Sequence, residues 1–185
     1  FFRAMIRDNQ DCSTEEALRE IVHAVHRNII ESGGLVGGDN GIGTTFSAIR
    51  VLPDKFMLAH VGDSSVFHKN GQGFKHISTS HTLGNELIEK HGPDAMNDMP
   101  DHYMHTLTRC MGQDIDFAVD VATFPIKPGD GVLICSDGVT NMVDEDIIES
   151  VMKEHEPRDF VPALIDLANQ NGGVDNSTIV SFFVN

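Results

Sequence analysis

The sequence has no tryptophan and a single tyrosine, Tyr103, so its aromatic packing rests almost entirely on 11 phenylalanines. Only three of its 185 residues are cysteine, Cys12, Cys110 and Cys135. That odd number has no ligand-like spacing, which argues against a disulfide framework and fits a reducing compartment, here the cytoplasm. Cys135 lies inside an apolar run and is expected to be a small core residue. Basic residues are scarce too. Thirteen Lys and Arg against 28 Asp and Glu leave a formal charge of -15. Phosphate backbones require a basic face, so a chain this acidic argues against nucleic acid as a partner. No apolar stretch approaches the ~18 residues of a membrane span, and no signal-peptide pattern is present. The sequon Asn176-Ser177-Thr178 would go unused in a cytoplasmic chain.

What is present points to one globular domain, residues 1–185, long enough to bury a core. Its central stretch is Gly131-Val132-Leu133-Ile134-Cys135-Ser136-Asp137-Gly138. A run of apolar residues stopping at Ser-Asp-Gly predicts a buried strand that delivers a carboxylate to its end. A second turn, Gly172-Gly173-Val174-Asp175-Asn176, leads into the apolar run Ile179–Val184. A third acid, Asp63, sits in the turn Gly62-Asp63-Ser64-Ser65. Aspartate favours turns in general, so any one of these is unremarkable alone. Three acids at strand ends, in order, suit a hard divalent cation such as magnesium or manganese. A pair of such ions could hold a hydroxide that attacks phosphorus.

The elements between these turns follow from capping and periodicity. Residues 1–8 have the character of a helix or strand cut short. Ser13-Thr14-Glu15-Glu16 has the form of a capping box. It opens a helix with Leu18, Ile21, Val22, Val25 and Ile29 on one face, expected to stop at Gly33-Gly34. His23 and His26 are three apart on that helix; a solvated face is favoured over a metal pair. Six glycines between Gly33 and Gly43 form a connection and, without a Lys-Ser/Thr ending, are no P-loop. Strands over 44–51, 56–61, 66–68 and 74–77 are expected to form one antiparallel meander, closed by the hairpin turn Asn70-Gly71-Gln72-Gly73. A short helix over 82–91 ends at Gly92, and residues 93–105 are irregular and rich in Met and His. Strands over 118–124 and 131–136 read as hairpin partners. Helices follow from Asp144 and from Arg158 to Gln170. The pattern is that of an α+β protein.

The succession Gly43-Thr44-Thr45, His60-Val61-Gly62-Asp63-Ser64, Leu107-Thr108-Arg109, Cys135-Ser136-Asp137-Gly138 and Gly173-Val174-Asp175-Asn176-Ser177-Thr178 closely resembles the metal-dependent protein phosphatases of type 2C, the PPM family. Order and spacing agree over nearly the whole chain, most closely with compact bacterial members. The resemblance implies an α-β-β-α sandwich of two antiparallel sheets flanked by helices. It implies metal-dependent hydrolysis of phosphoserine and phosphothreonine in proteins, opposing a Ser/Thr kinase. Asp137 and Asp175 become catalytic residues and ligands of two Mn2+ or Mg2+ ions, and Asp63 the ligand of a weaker third ion. Residues 78–112 become a mobile flap beside the site that sets substrate choice.

Several family features are missing. Members open with a strand carrying a phosphate-binding Arg, then a strand ending in an Asp-Gly-His-Gly type motif whose Asp bridges the metals. Neither occurs here, so the chain is expected to lack roughly 50 N-terminal residues of a family member, including two core strands. Ser65 stands where the family has Arg, Ser80 where it has Asp, and Asn141 where an Asp is common. A neutral amide is a poorer ligand for a hard cation, which weakens the third site. The alternative reading is therefore a pseudophosphatase that binds or regulates without catalysis.

Overall fold

The computed structural model describes residues 12–36, 41–113, 117–155 and 158–185. In chain order the elements are α1 (Glu15–Val36), β1 (Phe46–Val51), β2 (Lys55–Val61), β3 (Ser65–Asn70), β4 (Gly73–His76) and α2 (Leu83–His91). Two short 3-10 turns follow, Pro93–Asp98 and Asp101–His105. Then come β5 (Asp120–Pro125), β6 (Gly131–Cys135), α3 (Asp137–Thr140), α4 (Glu145–Glu154), α5 (Phe160–Gln170) and β7 (Ile179–Phe183). The fold is α+β with two antiparallel sheets, as the sequence implies. The expectation for residues 1–8 lies outside the described residues, as do residues 37–40 of the glycine-rich connection.

The chain divides into two compact units, one of residues 1–63 and 80–125, the other of residues 64–79 and 126–185. The first holds the sheet β1-β2-β5 with α1 against it. Leu18, Ile21, Val22 and Val25, the apolar face of α1, meet Met57, Ala59 and Val61, alternate residues of β2. A period of 3.6 thus meets a period of 2, each burying one face. The helix starts one residue later than the capping pattern suggests. Thr14 is the cap, its Oγ1 accepting the Ala17 N–H at 3.2 Å. The helix also runs through Gly33-Gly34 instead of stopping there. A Cβ on Gly33 would lie 3.2 Å from the backbone N of Ile42, so this glycine serves a close chain approach within the helix. His26 does not face solvent. It is buried, stacks on Phe117 at 3.8 Å between ring centroids, and accepts the Gly112 N–H on Nδ1 at 3.1 Å.

The second unit holds the sheet β4-β3-β6-β7, with α4 and α5 packed over it. Phe67 of β3 and Leu133 and Cys135 of β6 meet Ile148, Met152, Phe160 and Leu164 of the two helices. Nearly every side chain of β6 is buried, and β6 lies between β3 and β7. That central place accounts for its unbroken apolar run.

Two expected pairings are corrected. Strands β1 to β4 do not make one meander: β1 and β2 belong to the first sheet, β3 and β4 to the second. The chain changes sheet at Gly62-Asp63-Ser64. Nor are β5 and β6 a hairpin. β5 pairs with β2 (Leu58↔Ala122) and β6 with β3 (Val66↔Ile134). The turn between β5 and β6 resembles a hairpin loop locally, but the long-range partner is chosen by which face must be buried.

Candidate functional site

Asp137 and Asp175 come together in the second unit through β6 and β7. Those strands pair antiparallel up to Cys135↔Ile179. The ladder continues one step further, where Ser136 N–H donates to Thr178 O at 3.0 Å. The Ser136 hydroxyl then works in both directions. It donates to Asn176 O at 3.2 Å and accepts from the Thr178 N–H at 3.0 Å. From the other side, Ser177 Oγ donates to Gly138 O at 3.0 Å. The loop carrying Asp137 and the loop carrying Asp175 are therefore zipped along their backbones.

Gly138 lets them approach this closely. A Cβ there would stand 2.4 Å from Asn176 O and 3.4 Å from the carbonyl carbon of Asp175. Asp137 begins α3 and is half-buried, while Asp175 is exposed. The Asp175 carboxylate accepts the Asn176 N–H on Oδ1 at 2.7 Å, which fixes its rotamer and leaves Oδ2 free of that bond. The turn before it has positive φ at Gly172 (136°) and Gly173 (54°), the region where glycine is favoured. Asn171 Nδ2 ties this turn to Met142 O at 2.8 Å. A polar recess of about 460 Å³ borders it, lined by Asn169, Asp175, Asn176 and Ser177.

Two carboxylates on tied loops match the oxygen preference of Mg2+ or Mn2+ in kind. They are two donors, and among the described residues no group of three His, Cys, Asp or Glu is arranged to hold a metal ion. The donors suit such a cation by their chemistry, and a complete shell would take further ligands.

Asp63 belongs to the first unit, in the turn that leaves β2. The sequence reading flagged this acid but missed how the turn is held. Gly62, at φ 110°, packs so tightly that a Cβ would come within 2.4 Å of Thr45 Cγ2. Its N–H donates to His81 Nδ1 at 3.0 Å. Its carbonyl accepts from His60 Nε2 at 3.1 Å and from the His81 backbone N–H at 2.9 Å. His60 Nδ1 accepts the Ser47 hydroxyl at 2.8 Å, and His81 Nε2 donates to Asp120 Oδ2 at 3.0 Å. Arg109 Nη1 donates to the other oxygen of Asp120 at 3.1 Å. These partners fix both tautomers. His60, His81 and Arg109 stand in recognisable motifs, yet nothing local in the sequence marks Asp120 as their partner.

Cys135 adjoins Ser136 and Asp137, but its thiol is no nucleophile. Burial, and secondarily the negative charge of Glu145, push its pKa up to about 12. The group stays protonated at neutral pH, which removes thiolate chemistry from this strand end.

A profile of the protein phosphatase 2C family matches residues 2–180. The chain belongs to that family. It is 30% identical over 147 residues to protein phosphatase PhpP of Streptococcus pneumoniae, a match covering 78% of this chain and 59% of PhpP. The chain thus spans about 59% of the length of that curated relative. Among solved structures, the serine/threonine phosphatase of S. agalactiae superposes with a TM-score of 0.81 at 28% identity, over 92% of this chain and 70% of that one. The catalytic domain of the serine/threonine protein phosphatase PstP, in complex with two manganese ions, gives a TM-score of 0.82 at 23% identity. That match covers 100% of this chain and 78% of the PstP chain, and it shows a likeness of fold.

Two outcomes follow for this region. Gly138→Ala forces the two loops apart and should cost about 1–3 kcal/mol in urea unfolding; an unchanged midpoint would mean the loops are not in contact. For Cys135, the folded pKa lies above the ordinary value of 9.0. Stability is therefore fully present below pH 9 and falls as pH rises towards 12, by up to ~1.4 kcal/mol per pH unit. Cys135→Ala should flatten that alkaline slope; an identical slope in the variant would contradict the burial argument.

Proposed function

We propose that the full-length protein is a metal-dependent phosphatase that hydrolyses phosphoserine and phosphothreonine in proteins, opposing a Ser/Thr kinase in the cytoplasm. The observation carrying this reading is the Ser136 network, which sets Asp137 and Asp175 on adjoining loops. Asp137 and Asp175 are the residues that would hold a pair of Mn2+ or Mg2+ ions, and Asp63 a weaker third ion. When bound, the cations supply a hydroxide for attack on phosphorus and offset the charge that develops on it. The chain's own part is geometric. Ser136 and Ser177 keep the loops in register, and Asn176 N–H holds one oxygen of Asp175. The names of PhpP and of the S. agalactiae enzyme support a phosphoprotein substrate. Among the described residues no helix is long and apolar enough to cross a membrane.

Residues 82–106 would set substrate choice. The segment leaves and rejoins the unit at the bridge Thr82↔Leu107, and it exposes Met96 and Met104. Methionine surfaces adapt to varied apolar side chains, which suits peptides of differing sequence. A second reading, a phosphoprotein-binding module without activity, draws on the lack of a three-ligand group among the described residues.

Hydrolysis of a phosphothreonine peptide by the full-length protein, with and without manganese, separates the two. The proposal expects metal-dependent turnover. Asp137→Ala or Asp175→Ala should lower kcat/KM by on the order of 100-fold or more, since each removes several kcal/mol of charge stabilisation. Turnover that survives either substitution would sink the site assignment, and no turnover in the parent would favour the binding module.

A further inference from the structure

The turn carrying Asp63 is held more tightly than its position requires. Gly62 uses both polar groups of its backbone, and both end on buried histidines. His60 is 0% exposed and His81 1% exposed. A buried ring nitrogen left without a partner is costly, so each ring has one satisfactory orientation and one tautomer. No other side chain could take the place of Gly62, given its φ of 110° and the 2.4 Å approach to Thr45. The two peptide groups flanking Gly62, the second of them leading into Asp63, are therefore both held.

His81 has a second attachment. Its carbonyl accepts the Thr108 N–H at 2.9 Å, and Leu83 N–H donates to Thr106 O at 2.9 Å. With the bridge Thr82↔Leu107, these bonds form the base from which segment 83–106 projects. One residue thus grips the Asp63 turn with its ring and backbone N–H, and the base of the segment with its carbonyl. The ring is set from its far side by Asp120, which Arg109 holds through its other oxygen.

We propose that His81 is a positioning residue that fixes Asp63 through Gly62 and couples it to the base of segment 83–106, with Asp120 and Arg109 orienting its ring. The inference rests on the reading of Asp63 as a cation ligand. A shift at the base of the segment would then be felt as a change in cation affinity at Asp63. The coupling runs through defined hydrogen bonds and needs no rearrangement of the core.

The test is manganese titration of the full-length protein by calorimetry, together with hydrogen exchange at the Gly62 amide. His81→Ala should weaken the weakest class of Mn2+ site about tenfold and speed exchange at Gly62 about tenfold, as expected for one lost hydrogen bond. His81→Asn, whose Oδ1 can stand in for Nδ1, should restore Gly62 protection but not the link to Asp120. Asp120→Ala changes a half-exposed residue and leaves the core intact, so it carries the test if His81→Ala does not fold; its effects should be in the same direction and smaller. Unchanged Gly62 exchange in folded His81→Ala or Asp120→Ala would overturn the clamp. Faster exchange with unchanged Mn2+ affinity, while Asp63→Ala abolishes the weak site, would overturn the coupling. Should Asp63→Ala leave every Mn2+ site intact, the cation role of Asp63 is what fails, and the exchange measurement still judges the clamp.

Discussion

The hydroxyl of Ser136 is the central tie between the two loops of the candidate site. It donates to one backbone carbonyl and accepts from one backbone N–H, both on the loop that carries Asp175. Strands fix positions along their length, but ladders fray where they end, and Asp137 lies at such an end. Here the ladder between β6 and β7 is extended beyond its last regular pair by a side chain that mimics a backbone partner. Everything local follows from that extension: the glycine at 138, the short helix starting at Asp137, and the return bond from Ser177. The energy involved is modest for each bond, roughly 1 kcal/mol. The gain is in placement, because a cation site tolerates little error in ligand position.

The same device appears in a different form at Asp63. There the turn is held by two buried histidines and not by a serine, and a glycine again supplies the space. In both places the peptide beside the acid is secured by defined hydrogen bonds. The backbone beside each acid thereby meets its own hydrogen-bonding needs.

The strand-end acids were legible in the sequence because β6 is central and buried, so its apolar run ends abruptly where the chain emerges. The helix over Leu83–His91 was legible from its end at Gly92, whereas Thr82, expected inside it, is its N-cap. The pairing of strands was not. Whether β5 pairs with β2 or β6 depends on partners far along the chain, and the local turn at Pro125–Gly129 carries no information about them. Gly33-Gly34 misled for a related reason. Glycine marks a helix end and also marks a close approach, and only Ile42 decides between the two. His26 reads locally as solvated because its partner, Phe117, is distant in sequence.

The central claim is that Asp137 and Asp175 share one cation site. Paramagnetic broadening of amide resonances by substoichiometric Mn2+, recorded on isotope-labelled full-length protein, tests it most directly. The account predicts that amides at 136–138 and 175–177 broaden first and together. If broadening begins instead at the acidic start of α4, around Asp144, Glu145 and Asp146, with both loops untouched, the cation is drawn only by the chain's negative charge and the shared site does not exist.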